Sequence, residues 1–253
     1  SGGYHGGDFE IEKKGNIRFA HNKIPQYCGV YLFKDGRFLF PEKHMRRPAW
    51  GNANTVVMHE MDMMGRVYRT YYDKKGLHHW AIEKEPGGNI LALSSSTDDT
   101  FMENEIVEID RFTGEAVKEI NMNQLLPEKY ITRNDWSHIN SLEYIAKDDS
   151  VVISMRNVHT IAKISLEKGE LVWILTNPKF YKETNVEDKV LKPEGDIKWF
   201  FQQHAIQIVH DEKNKDGRLR VMLFDNHTAN RRPVKWFDKE KKSKIMFFTI
   251  DEK

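Results

Sequence analysis

The sequence has one cysteine, no excess charge of either sign, no long apolar run and little sustained helical periodicity. Each shortage excludes something. Cys28 alone cannot form a disulfide within these residues, and in Tyr27-Cys28-Gly29-Val30 it sits beside apolar strand residues, so it reads as a buried structural thiol rather than a nucleophile. The lack of disulfides leaves the compartment open. Lysine plus arginine number 39 against 38 for aspartate plus glutamate, a formal charge of +1, so no field of one sign recruits nucleic acid or an anionic membrane. No window reaches the roughly 18 to 20 apolar residues of a membrane helix. Ser1-Gly2-Gly3 reads as a processed or engineered end, from which no targeting signal can be taken.

What the chain does have is length and strand periodicity. Its 253 residues suffice for one large all-β domain with a real core. Apolar residues alternate with polar ones in short runs broken by glycine, asparagine and aspartate. One hairpin signature recurs: Ile11 to Ile17 around Gly15, Met61 to Val67 around Gly65, Ile109 to Glu115 around Gly114, and Ile164 to Glu170 around Gly169, with a fifth copy opening at Ile250. Each combines an apolar residue, a short polar turn whose glycine supplies positive φ, and a return strand. The copies are spaced 50, 48, 55 and 86 residues apart, the last interval stretched by an insertion between Pro178 and Trp199. A period near 50 with about four strands per unit is the mark of a β-propeller.

A second hairpin falls between the first ones, at Gly29 to Phe40, His78 to Leu93, His138 to Met155 and His204 to Phe224. These are the expected inner strands of successive blades. The expected division of residues 1–253 is an outer half-blade at 8–22, blades at 26–76, 77–122 and 135–176, an insertion loop at 177–202, and at 203–253 a blade lacking its last strand. Because stable domains avoid a bare sheet edge, the expectation is about four blades of a longer propeller. The alternative is a ring closed by pairing the N-terminal segment with the final blade. Ser94 to Asn104 and Pro178 to Gly195 read as loops, the second charged and lid-like; Gln124 to Lys129 reads as a helical turn, and Lys239 to Lys244 as a solvated basic loop.

The polar stretch Asp135-Trp136-Ser137-His138-Ile139-Asn140-Ser141 is followed, eighteen residues after His138, by Arg156. Strand alternation predicts His138 and Asn140 on one face, and a returning strand that ends at Arg156-Asn157 would make an anion site of them. His78 with His79, His138 and His204 all open an inner hairpin, in three consecutive blades. Innermost propeller strands line the central channel, so these side chains are expected to meet near the axis. Packing offers no reason for imidazole at all three. Asp225 and Asn226 repeat the Arg156-Asn157 address one blade on. A guanidinium there suits the oxygens of sulfate, phosphate or carboxylate. Three histidines could instead hold zinc, but the sequence neighbours of His138 and His204 supply no evident carboxylate ligand, and Arg156 would repel a cation.

These residues resemble a known family. Asp-Trp-x-His-x-Asn-Ser, the arginine-asparagine pair that follows it, the doubled histidine of the preceding blade and Gln203-His204-Ala205 in the next look like the bacterial arylsulfate sulfotransferase (arylsulfotransferase, ASST) family, from Leu77 to Lys253. The earlier blade fits in pattern only. The resemblance implies a six-bladed β-propeller enzyme that moves a sulfuryl group from an aryl sulfate ester to a phenol. It implies a ping-pong reaction through a sulfohistidine, with no nucleotide sulfate donor, metal or other cofactor. Carried over by position, His204 is the nucleophile, and His138, Asn140 and Arg156 hold the sulfuryl oxygens, with Asn157 and Asn226 as further substrate-binding groups. His78 or His79 assists at the phenol oxygen. Trp80 stands where the family pattern His-His-Asp has its acid. Family spacing then points to His79, whereas the apolar face of Trp80 and Ile82 points to His78. The family also implies an extracytoplasmic location, and nothing in the residues excludes a homodimer. Two other classes fit the pattern: a non-catalytic propeller that binds an anionic ligand or a protein, and a metal-dependent propeller hydrolase.

Overall fold

A computed structural model describes residues 8–11, 17–21, 30–41, 45–46, 54–96, 101–132, 134–210, 217–237 and 242–253. Cys28, the turn expected at 12–16 and residues 239–241 of the basic run lie outside them. The fold is all-β, with antiparallel pairing between its strands. Among the described residues no helix is long and apolar enough to cross a membrane, which says nothing of a β-barrel. The chain divides into two compact units, Ser1–Thr100 with Ile106–Glu119, and Phe101–Glu105 with Ile120–Lys253.

In the first unit, β1 (Asp8–Ile11) pairs with β2 (Ile17–His21). A larger sheet follows, built from β3 (Tyr31–Leu32), β4 (Phe38–Pro41), β5 (Met45–Arg46), β6 (Asn54–Met61), β7 (Val67–Glu83), β8 (Ile90–Ser94), β9 (Glu105–Ile109) and β10 (Ala116–Asn121). Their order is β10-β9-β8-β7-β6-β4-β3, with β5 beside β6. β7 serves two partners: residues 67–72 pair chiefly with β6 and residues 77–83 with β8, and Gly76 between them has φ +88. The core gathers Phe33, Leu39, Met58, Tyr71, Leu77, Ile90, Val107 and Ile109, the inward residues of alternating strands. The turn joining β9 to β10 is the one its glycine forecasts, because Gly114 at φ +75 closes it while the Asp110 carboxylate accepts the N–H groups of Phe112 and Thr113.

The second unit opens with a short helix, α1 (Met122–Leu125), capped by the Asn121 side chain, and a 3-10 turn Glu128–Tyr130, which accounts for the helical turn expected there. A four-stranded meander follows, β11 (Ile139–Ile145), β12 (Ser150–Met155), β13 (Thr160–Ser165) and β14 (Glu170–Leu175), then a three-stranded one, β15 (His204–Ile208), β16 (Arg218–Asp225) and β17 (Lys244–Asp251). β12 is buried along its whole length, as its run of Val151, Val152 and Ile153 predicts, whereas β16 alternates and turns Leu219, Val221 and Leu223 inward. The two sheets share a core of Val152, Ile161, Trp173, Leu175, Ile206, Leu219, Val221 and Ile250. The segment between β14 and β15 is more than a charged loop. Phe180, Tyr181 and Val186 are buried, and Leu191 donates its N–H to Ile174 O.

Each of the three hairpins opened by a histidine carries an irregularity beside it. The ladders shift between His78 and Ala81, between Ile139 and Ser141, and between His204 and Gln207, and φ is positive at His79, His138 and Ala205. Such bulges re-aim side chains. Simple alternation therefore does not put His138 and Asn140 on one face: His138 precedes β11 in the left-handed region, and Asn140 lies within the bulge.

Candidate active site

In the second unit the strand-opening residues are stapled together by their backbones. Glu103 O accepts from Ile139 N–H and from Ser137 Oγ, both at 2.9 Å, which ties the 101–105 segment to the start of β11. On the far side, the 3-10 turn Arg156–Val158 donates Arg156 N–H to His138 O and Asn157 N–H to Ser137 O, each at 3.0 Å. Trp136, fully buried, anchors the loop through Nε1 to Asn123 Oδ1 at 2.8 Å. The result holds His138 between Glu103 and Arg156.

His138 and His204 meet with ring centroids 6.1 Å apart at 71°. Their protonation is driven in opposite directions. Burial opposes the charged form of His138, yet the Glu103 carboxylate, Oε2 at 2.5 Å from Nδ1, and the Asp135 carboxylate, Oδ1 at 3.0 Å from the same nitrogen, outweigh it and raise the pKa to about 9. Burial lowers the pKa of His204 to about 4, helped by the positive charges of His138 and Arg156 and opposed by the Gln202 carbonyl and Glu103. At neutral pH an imidazolium and a guanidinium thus flank a neutral imidazole. That combination can bind an oxyanion and present a nucleophile or base to it.

His204 is held by a rigid support. The segment before it is strained, with φ +52 at Gln202, and several of its backbone groups are tied to side chains. Phe201 N–H donates to Asp225 Oδ1 at 2.8 Å, Gln202 N–H to His159 Nδ1 at 3.1 Å, and Gln203 O accepts from Asn140 Nδ2 at 2.8 Å. Asn226 Nδ2 donates to Gln202 O and lies 2.7 Å from His204 Nδ1. The buried Gln203 amide fastens the same segment to Ser154 Oγ, Met155 O and Thr160 O. His159 is kept neutral by burial, which lowers its pKa to about 4; since its Nδ1 accepts, its Nε2 donates to Arg232 O at 2.9 Å.

Of the residues singled out in the sequence, His138, Arg156, Asn157, His204, Asn140 and Asn226 belong to this unit. Asn140 and Asn157 are buried and engaged with protein: Asn157 Nδ2 donates to Asp135 O and its Oδ1 accepts from Arg156 Nη1 at 2.9 Å. His78 and His79 belong to the first unit. His78 is fully buried, its Nε2 donates to Ser94 O at 2.9 Å, and its Nδ1 lies 3.0 Å from His79 Nδ1. Because a carbonyl can only accept, neutral His78 carries its proton on Nε2. His79 then donates from Nδ1, which leaves its Nε2 as the atom that can give or take a proton. His79 is also the more exposed of the two.

Sequence reasoning missed Glu103, gave Asp135 no role, and found no carboxylate beside His138. Two are there. The signal was the repeat address, since Glu103, His159 and His227 follow β8, β12 and β16 in turn, each at φ near +50. Glu103, Asp135 and His138 bring three potential metal donors within 4.8 Å of one another. Both carboxylates converge on Nδ1, however, and a metal there would have to displace the proton that Asp135 accepts.

Residues 3–253 match the family described as Arylsulfotransferase (ASST). Arylsulfate sulfotransferase AssT of Escherichia coli O6:H1 is 29% identical over 136 residues, which cover 47% of this chain and 21% of that protein. A solved structure, a protein of unknown function from Bacteroides caccae, superposes with a TM-score of 0.52 at 16% identity, covering 89% of this chain and 66% of that one. At that identity the likeness speaks for the fold alone. The match along nearly its whole length establishes that the chain belongs to the arylsulfotransferase family.

Proposed function

We propose that the chain is an arylsulfate sulfotransferase built on β-propeller blades, which moves a sulfuryl group from an aryl sulfate ester to a phenol. The observation that carries the reading is neutral His204 beside cationic His138 and Arg156. A ring nitrogen of His204 attacks sulfur, an S–N bond forms, the S–O bond to the aryl group breaks, and the phenolate leaves with a proton from an assisting histidine. The second phenol returns that proton to the histidine, its oxygen attacks sulfur, and the S–N bond breaks to restore His204. Arg156 and His138 hold the equatorial oxygens as charge develops, a role worth about 3 to 4 kcal/mol per donor. The step requires no nucleotide sulfate donor. An extracytoplasmic location belongs to the same proposal.

Incubation with p-nitrophenyl sulfate and phenol tests it: nitrophenol release that depends on His204 is expected, and none from the folded protein would sink the reading. The pH profile follows from the two histidines. His204 must be unprotonated, so kcat/KM rises through about pH 4, and His138 must be protonated, so it falls through about pH 9. A profile that rises through pH 9 contradicts the assigned roles.

For the assisting group, the tautomer argument supports His79, with His78 orienting it. His79→Ala is expected to lower kcat/KM for phenyl sulfate by about 10²- to 10⁴-fold, and much less for p-nitrophenyl sulfate, whose leaving group needs little help. Equal losses on both donors would remove His79 from that role.

A further inference from the structure

Glu103 is buried, and its place is over-determined. Its backbone carbonyl takes two hydrogen bonds from the residues on either side of His138, and its own φ is +53, a conformation an ordinary residue adopts only when its surroundings require it. Its carboxylate Oε2 stands 2.5 Å from His138 Nδ1, nearer than Asp135 Oδ1 at 3.0 Å. Asp135 is only three residues from His138 and more exposed; Glu103 comes from a different strand pair, so the contact exists only because the 101–105 segment is stapled to β11. Among the described residues of this unit, the charged and titratable groups set against His138 include these two carboxylates, His204 on β15 and Arg156 in the following 3-10 turn.

We infer that Glu103 is a positioning residue: by fixing a buried carboxylate against Nδ1 of His138, whose N–H the Asp135 carboxylate accepts, it keeps that ring cationic, aims its Nε2–H as an oxyanion donor, and so keeps neighbouring His204 unprotonated and nucleophilic. This rests on the sulfuryl-transfer reading for its purpose, though not for its geometry. A buried carboxylate is costly unless a positive charge lies against it. With His138 charged, the carboxylate is neutralised and the next ring feels a positive charge instead of a negative one. Glu103 therefore acts on His204 through His138.

The test is titration of His138 in the protein by long-range proton–nitrogen NMR, together with the pH profile of p-nitrophenyl sulfate turnover, in the native protein and in Glu103→Gln. The isosteric amide keeps the shape and removes the charge. The expected result is a fall in the His138 midpoint of at least one pH unit, a tenfold or greater loss of proton affinity, with the alkaline limb of kcat/KM moving by the same amount. Glu103→Asp is expected to retain part of the elevation. An unchanged midpoint in folded Glu103→Gln overturns the inference. Should that variant not fold, Asp135→Asn decides: a midpoint still well above 6.5 leaves Glu103 as its source, and a return to 6.5 overturns the inference. The NMR measurement needs no turnover, so a protein that transfers no sulfuryl group but keeps a Glu103-dependent His138 rejects the reaction and not the pairing.

Discussion

On the proposed reaction, His204→Ala is expected to lower aryl sulfate turnover by about four orders of magnitude or more, because it would remove the atom proposed to take the sulfuryl group rather than a helper. The loss should appear in kcat, with little change in the binding of the sulfate ester, since Arg156 and His138 remain. The same residue makes a positive prediction. In the native protein given p-nitrophenyl sulfate and no acceptor, a burst of one nitrophenol per protein should precede slow turnover, and the trapped protein should carry one sulfuryl group on the peptide containing His204. Near-native turnover by the alanine variant, or a burst that survives the substitution, would move the nucleophile elsewhere. The prediction is sharp because His204 is neutral through the working range: burial and two flanking cations lower its pKa to about 4.

The second large effect is on stability, in the first unit. Arg111, 2% exposed, donates Nε and Nη2 to the two oxygens of buried Glu60 at 3.1 and 3.0 Å and Nη1 to Glu83 at 2.7 Å, while its guanidinium lies 4.4 Å from the centre of the Phe33 ring. Tyr71 Oη donates to Glu60 at 2.8 Å, and Arg37 also pairs with it. Arg111→Met keeps the bulk and leaves buried carboxylates short of their cation. The expected cost is about 3 to 5 kcal/mol, read as a lower urea midpoint with an unchanged slope if unfolding stays two-state. Arg111→Lys should recover only part, because an ammonium cannot make the bidentate contact and reach Glu83 together. A loss below about 1 kcal/mol for the methionine variant would show that the network is no more than a screened ion pair.

Arg111 also shows how far a sequence can be read. In Ile109-Asp110-Arg111-Phe112-Thr113-Gly114 the turn was legible, and Gly114 with the Asp110 carboxylate closes it as forecast. A polar turn residue is ordinarily solvated, however, and nothing local to Arg111 announces its burial. Glu60 is 51 residues away and Glu83 is 28, and only the pairing of β6, β7 and the following strands brings them together. The same holds for Glu103. The loop that contains it looked uninformative because its partner, His138, is far along the chain and on another sheet.

The bulges divide the two kinds of knowledge in another way. Histidines at one repeat address were visible as a pattern, and strand alternation gave a definite forecast for His138 and Asn140. A ladder shift between Ile139 and Ser141 overrides it, since one extra residue reverses the face of all that follow. Asn140 is consequently spent on Gln203 O, fixing the segment before His204. Of the doubled histidine, sequence left two candidates; hydrogen bonding separates a buried orienting ring, His78, from a more exposed one, His79.

What the sequence by itself determined is what depends on nearest neighbours and on period: the all-β class, the glycine turns, and the recurring addresses at which His78, His79, His138 and His204 stand. These follow from backbone sterics and from an alternation that needs only a few residues to declare itself. The tertiary structure alone decided protonation. Two rings of the same chemistry, His138 and His204, end on opposite sides of neutrality because one is packed against Glu103 and Asp135 and the other against His138 and Arg156. The physical reason is that desolvation and Coulomb energy depend on distances of a few ångströms in space, which separation along the chain does not encode.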